Sequence, residues 1–182
     1  MKIKELKLDQ SCLKDVGDLY LSAFPSDERP PLEYYLKVHN ETKDNHIFAY
    51  YEKDEFIGYI QFVIYQDIVY LCYLAISENK RNQGYGTYIL KDIISKYQGY
   101  VILLCYEEID KKYPNYKQRI KRESLYKKIG FIDNHLFTKE GDVIYQSAYI
   151  GKHPVDYQTY QIIFDLCYGK NAHKYYLRNT SK

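Results

Sequence analysis

The chain reads as an α/β (α+β) protein: a mixed, mostly antiparallel twisted sheet with helices on both faces, followed by a C-terminal helical extension. Three observations predict this class. Between His46 and Ser77, three strand-like runs follow one another across turns of hairpin length, which makes them antiparallel neighbours. From Ile68 to Tyr106 the order strand, helix, strand implies a parallel crossover. Phe131 to Ile150 then reads as a closing hairpin.

Taken in order, Lys2 to Leu8 alternates polar and apolar residues as a half-buried strand does. Asp9 or Ser11 can cap a helix with Leu13, Val16, Leu19, Tyr20 and Phe24 on one side. The run Pro25-Ser26-Asp27-Glu28-Arg29-Pro30-Pro31 breaks that pattern, and Pro31 suits the first residue of a short helix through Leu32, Tyr35 and Leu36. The next strands are expected at His46 to Glu52, Phe56 to Gln66 and Ile68 to Ser77, with turns at Lys53-Asp54-Glu55 and Gln66-Asp67. Ile89, Leu90, Ile93, Ile94 and Tyr97 share one face at helical spacing, and Gly99 to Tyr106 is a further buried strand. Pro114 ends regular structure before a helix from Tyr116 to Ile129, which Gly130 terminates. Strands Phe131 to Thr138 and Val143 to Ile150 follow, and a last amphipathic helix carries Tyr157, Tyr160 and Phe164 with Cys167 or Tyr168.

The most informative stretch is Ile76-Ser77-Glu78-Asn79-Lys80-Arg81-Asn82-Gln83-Gly84-Tyr85-Gly86-Thr87, a basic, glycine-punctuated turn between a buried strand and a helix. Glycine lets the backbone turn sharply and approach a ligand, while the first N–H groups of a helix lack partners inside it. Those donors and the positive end of the helix dipole suit a phosphate. The spacing lacks the third glycine of a dinucleotide fingerprint and the Gly-Lys-Ser/Thr ending of a P-loop.

Arg81-x-x-Gly84-x-Gly86 after a strand and before a helix resembles the acyl-CoA signature of the GNAT N-acetyltransferase superfamily, and the order of elements over residues 1 to 150 resembles that fold. The resemblance implies acetyl-CoA as cosubstrate and an amine as acceptor. It places the pyrophosphate among Arg81, Asn82, Gln83, Gly84, Tyr85, Gly86 and Thr87, and the pantetheine arm on the backbone of Leu74, Ala75 and Ile76. Leu125-Tyr126-Lys127-Lys128-Ile129-Gly130-Phe131 is similar to the family's Leu-Tyr-x-x-x-Gly-Phe helix ending, which makes Tyr126 the general acid for the departing thiolate. Glu107 or Glu108, after the fifth strand, stands where the family often exposes a base, and either is equally a surface carboxylate. One position departs: many members carry Asn seven residues before that Tyr, and this chain has Arg119. In the region that walls the family's acceptor pocket, Glu28 and Arg29 either read a substrate group or form a rigid surface turn.

Composition bounds the rest. The 182 residues fit one domain, with a core at about 1–150 and an extension over 151–182, and 46% hydrophobic content fills a substantial core. With 26 basic and 24 acidic residues the formal charge is +2, so no nucleic-acid partner is expected, and Lys117-Gln118-Arg119-Ile120-Lys121-Arg122 reads as a solvated helix face or a contact for phosphate. No apolar run approaches the ~20 residues that cross a bilayer, and Met1 to Leu6 lacks a secretory core, so a cytoplasmic protein without membrane partners is expected. Cys12, Cys72, Cys105 and Cys167 are widely separated without metal-ligand spacing, which suggests neither metal nor disulfide but buried thiols. The five His are dispersed and no nucleophile motif is present, so direct transfer within a ternary complex is expected rather than an acyl-Cys step. The rival readings are an acyl-CoA-binding module without turnover and a nucleic-acid or ribosome-associated protein. The extension is expected either to cover the acceptor cleft or to form a homodimer contact.

Overall fold

The computed structural model describes residues 1–26, 29–140 and 143–172. In chain order these residues form β1 (Lys2–Glu5), α1 (Leu13–Ala23), α2 (Leu32–Glu41), β2 (Asn45–Glu52), β3 (Glu55–Tyr65), β4 (Ile68–Ile76), α3 (Tyr85–Lys96), β5 (Val101–Glu107), α4 (Tyr116–Ile129), β6 (Ile132–Glu140), β7 (Val143–Ile150) and α5 (Tyr157–Tyr168). The strands make one open seven-stranded sheet in the order β1-β2-β3-β4-β5-β7-β6. β4 and β5 are parallel and the other neighbours antiparallel, as the strand-helix-strand unit requires.

Alternation along the strands divides the core between two faces. Phe62, Val69, Leu71, Ile102 and Leu104 point to one face and pack under Ile89, Leu90 and Ile93 of α3, with Tyr126 and Ile129 of α4 beside them. On the other face, Tyr59, Tyr73 and Ala75 meet Val16, Leu19 and Tyr20 of α1 and Tyr35 of α2. Val63, Tyr70, Val101 and Leu103 meet Tyr160, Ile163 and Cys167 of α5 there. The helical periods read from the sequence thus mark the buried stripes.

Where boundaries differ from expectation the cause is local. β1 stops at Glu5, because the Asp9 side chain accepts from the Ser11 N–H and starts a single 3-10 turn over Gln10–Cys12. Leu8 is therefore left 83% exposed instead of serving as a strand residue. Pro31 stands just before α2 rather than inside it, and α2 continues to Glu41. Lys53 and Asp54 both have positive φ (48° and 64°), the geometry of a two-residue hairpin turn. In β6, His135 has φ 54° and the register against β7 shifts between Asp133 and Phe137.

The extension is pinned by side chains that act on the main chain. Asn134 Nδ2 donates to Val155 O (2.9 Å) and its Oδ1 accepts from Val155 N–H (2.7 Å), as a strand partner does.

Candidate functional site

A groove opens where the parallel pair parts. β4 and β5 pair from Ile68↔Val101 to Leu71↔Leu104, yet β4 runs on to Ile76 and β5 to Glu107. β3 follows β4 to Gly58↔Ile76, so the outer half of β4 is held on one edge while its β5 edge leaves the ladder. The parting coincides with a bulge: Gln61 pairs with Tyr73 and Phe62 with Leu71, which leaves Cys72 as the extra residue. Gly58 keeps the outer half of β4 close, since a Cβ there would sit 2.2 Å from Ala75 O and 3.0 Å from Ile76 Cα.

The outer half of β4, with Leu74, Ala75 and Ile76, leads into the glycine turn. Arg81 Nε donates to Ile76 O (3.2 Å), Gln83 Nε2 donates to Asn79 O (2.8 Å), and Lys80 pairs with Glu55 of β3. Asn82 (φ 60°) and Gly84 (φ 87°) take left-handed conformations that swing the chain into α3. Tyr88 N–H makes the first helical bond, to Gly84 O (3.0 Å), so the N–H groups of Tyr85, Gly86 and Thr87 lie ahead of it. Tyr85 is turned outward and donates to Glu52 Oε2 (2.7 Å). Gly86 needs neither positive φ nor room within the fold, because a Cβ there would meet only Ile76 Cγ1, at 3.9 Å. A glycine that costs helix stability without an internal reason suits a ligand lying close to the backbone. These are the elements expected to hold an acyl-CoA, gathered at one end of β4.

Across the groove, Tyr126 of α4 is half-buried, with its ring against Tyr106 of β5 (5.4 Å between centroids) and Phe131 (5.9 Å). Burial pushes its phenol up to about 12; Arg122 pulls it down and Glu107 adds to the rise. It therefore stays protonated at neutral pH. Glu107 is gripped by both arms of Arg122: Nε donates to Oε2 at 3.1 Å and Nη2 to Oε1. Arg119 is 4% exposed, donates to Asn115 Oδ1 (2.7 Å) and Glu108 O (2.8 Å), and lies 3.7 Å over the Tyr113 ring. The run Lys117 to Arg122 is thus no uniform basic surface, since two of its cations face inward. Tyr126 also walls a cavity of about 150 Å³ with Glu123 and Asp133 on its rim.

The opposite face of β4 is built from tyrosines. Tyr20 stacks on Tyr35 (4.2 Å) and meets Tyr73 edge-on (5.6 Å), and its hydroxyl donates to Pro30 O (2.8 Å). Arg29 donates from Nε to Phe24 O (2.9 Å) and covers the Tyr20 ring, so its contacts close the loop between α1 and α2. Glu28 lies outside the described residues.

The bulge makes Cys72 and Tyr73 both face α5, and each finds a partner there. Cys72 is joined to Cys167 by a disulfide, and Tyr73 meets Tyr168 edge-on at 5.6 Å. This corrects the expectation of four separate thiols: residues 95 apart in sequence face each other because α5 crosses β4 at the bulge. Asn45 fixes the same helix end, donating to Leu166 O (3.2 Å) and Cys167 O (3.4 Å), while Gln61 Nε2 donates to Asn45 Oδ1 (2.9 Å). Its buried neighbour His39 has Nδ1 3.4 Å from Asn45 Oδ1, and burial pushes its imidazole down to about 4.

Sequence reading missed Gly58, Arg122, Asn45 and the disulfide. Only Gly58 carried a signal, as a glycine inside an apolar strand. Among the described residues, no helix is long and apolar enough to cross a membrane, and no group of three or more His, Cys, Asp or Glu could hold a metal ion.

Comparison with known proteins agrees with this geometry. A family model described as the acetyltransferase (GNAT) family matches residues 13–131. A Bacteroides thetaiotaomicron structure described within that family superposes with TM-score 0.74 at 21% identity, covering 91% of this chain and 96% of the other. An aminoglycoside 6′-N-acetyltransferase in complex with coenzyme A gives TM-score 0.60 at 17% identity, covering 86% of this chain and 98% of its own. A spermidine N-acetyltransferase variant from Vibrio cholerae gives 0.62 at 15%, with 82% and 94% covered. No match was found among curated protein sequences.

Proposed function

Since the chain belongs to the acetyltransferase (GNAT) family, we propose that it is an acetyl-CoA-dependent N-acyltransferase that transfers an acetyl group directly to a primary amine. The observation that carries this reading is the pairing of an unladdered β4 edge with free amides at the start of α3, beside a Gly86 that nothing inside the fold requires. Acetyl-CoA supplies the thioester carbonyl as the acyl donor. In this reading the N–H groups of Tyr85, Gly86 and Thr87 and the Arg81 guanidinium bind the pyrophosphate, with Asn82, Gln83 and Gly84 shaping the turn. The free backbone groups of Leu74, Ala75 and Ile76 take the pantetheine arm as a strand edge takes a peptide.

The amine lone pair forms the new C–N bond as the C–S bond breaks, and the sulfur leaves with the bonding pair. Tyr126, protonated at neutral pH, gives its proton to that sulfur. The proton shed by the amine passes to water, because the Glu107 carboxylate is already committed to Arg122.

The relatives act on an aminoglycoside and on spermidine, and a small-molecule or peptide amine is the acceptor class we assign here. We place the reaction in the cytoplasm, where acetyl-CoA is made and used; the Cys72–Cys167 bond is the feature that runs against that placement.

Tyr126→Phe tests the assignment. We expect kcat for CoA release, scored over a panel of primary amines, to fall by about 10²-fold or more while CoA affinity in calorimetry is unchanged. An unaltered kcat removes Tyr126 from the mechanism. Tight CoA binding without release on any amine turns the protein into a binding module.

A further inference from the structure

β5 has a problem of its own where the groove opens. Beyond Leu104 it loses β4, and Cys105, Tyr106 and Glu107 keep only β7 as a ladder partner, through Ser147, Gln146 and Tyr145. A strand tethered on one edge can drift across a groove, and this groove must keep a fixed width to lay an extended ligand beside β4.

Two arginines on successive turns of α4 hold the free end. Arg122 grips the Glu107 carboxylate with two parallel N–H bonds, and Arg119 donates to the Glu108 carbonyl one residue further along. Arg119 is itself fixed from behind by Asn115 and the Tyr113 ring. The pair is sheltered: the Glu107 side chain is 14% exposed and that of Arg122 35%, so this is not an ion pair melted by solvent. Arg122 also precedes Tyr126 by one helical turn on the same face of α4. Whatever fixes Arg122 against β5 therefore fixes the height of the phenol across the groove.

We propose that Arg122, backed by Arg119, is a positioning residue that braces the unladdered end of β5 against α4 and so sets the width of the groove and the place of Tyr126 in it. The brace rests on the acyltransferase reading above. It also gives a place to the Arg found where relatives of the family carry Asn: Arg119 serves the strand, and Glu107 serves as an anchor rather than as a base.

The test compares two probes, CoA and ADP, titrated calorimetrically into the full chain. ADP reaches only the turn before α3, whereas CoA also needs the groove. Arg122→Gln is expected to weaken CoA by about tenfold, the loss of one charge-assisted bidentate contact, and to leave ADP affinity within about twofold. Glu107→Gln should give the same split, because the two residues form one unit, and the double variant should be no worse than either single one. Arg122→Lys should recover part of the loss. In all these variants the melting temperature stays near that of the wild type, while amide exchange at Tyr106 to Glu108 quickens and exchange in α3 does not.

If CoA affinity is unchanged in Arg122→Gln, or if ADP weakens in step with CoA, the brace is overturned. Additive effects in the double variant overturn it as well. A wild-type chain that binds neither probe overturns the acyltransferase reading and the brace together, whereas one that binds both with Arg122→Gln unchanged overturns the brace alone.

Discussion

The two faces of the sheet meet at the same outer half of β4 and are built in opposite ways. On the α3/α4 face the candidate site is mostly main chain: an unladdered strand edge, two left-handed residues and the amides that open a helix. These features lie within a dozen residues of one another. On the α1/α2/α5 face the structure is all side chains drawn from far apart: Cys72 to Cys167, Tyr73 to Tyr168, Asn45 to Leu166 and Cys167, Tyr20 to Tyr35 and Tyr73. A site shaped by backbone geometry is nearly insensitive to which side chains surround it, so it can recognise an invariant ligand part. A face shaped by side chains is free to vary with the acceptor.

Three measurements break or sharpen that contrast. The largest effect is expected on the side-chain face. Cys72→Ser removes a cross-link that closes a loop of 95 residues in sequence separation, and should lower unfolding free energy by about 4 kcal/mol in non-reducing denaturant titrations. CoA affinity should hold, because serine keeps the bulge; equal stability of wild type and variant without reductant would remove the cross-link from the account.

Next comes the main-chain face. Gly58→Ala forces a Cβ to within 2.2 Å of Ala75 O, at a cost of about 3 kcal/mol, and the shift of β4 should weaken CoA as well as lower the melting temperature. A variant that melts early but binds CoA normally would separate β4 from the site.

The smallest effect follows from His39. Its imidazole is pushed down to about 4 by burial, below its usual value of about 6.5, so from pH 6.5 down to 4 the unfolded chain holds a proton that the folded one refuses. Stability is full above the unfolded value and is lost as pH falls towards the folded one, by about 2 kcal/mol between pH 7 and pH 5. His39→Gln should flatten that part of the profile; an identical slope in variant and wild type would rule His39 out as its source.

The same contrast decides what could be read in advance. The sheet order, the helical stripes and the turn from Arg81 to Thr87 follow from short-range patterns, namely period 2, period 3.6 and glycine spacing. Errors at the ends of β1 and α2 were local too, a capping Asp9 and a Pro31 placed one residue outside its helix. The disulfide and the Asn45 clamp were illegible, because no pattern in Cys72 or Asn45 says which segment will cross β4. Arg119 and Arg122 were read with their neighbours as a basic face. Spacing on a helix gives the side, but not that β5 would need an anchor there.

The extra residue at Cys72 has a consequence for how this chain can change length. Were it deleted, Tyr73 would rotate to the other side of the sheet, the ladder with β3 would run straight, and every later residue of β4 would exchange faces. Point replacements along that strand leave this arithmetic untouched, whereas a single insertion or deletion overturns both surfaces at once. Among descendants of this sequence, the count of residues between Ile68 and Gly84 should drift far less than their identities.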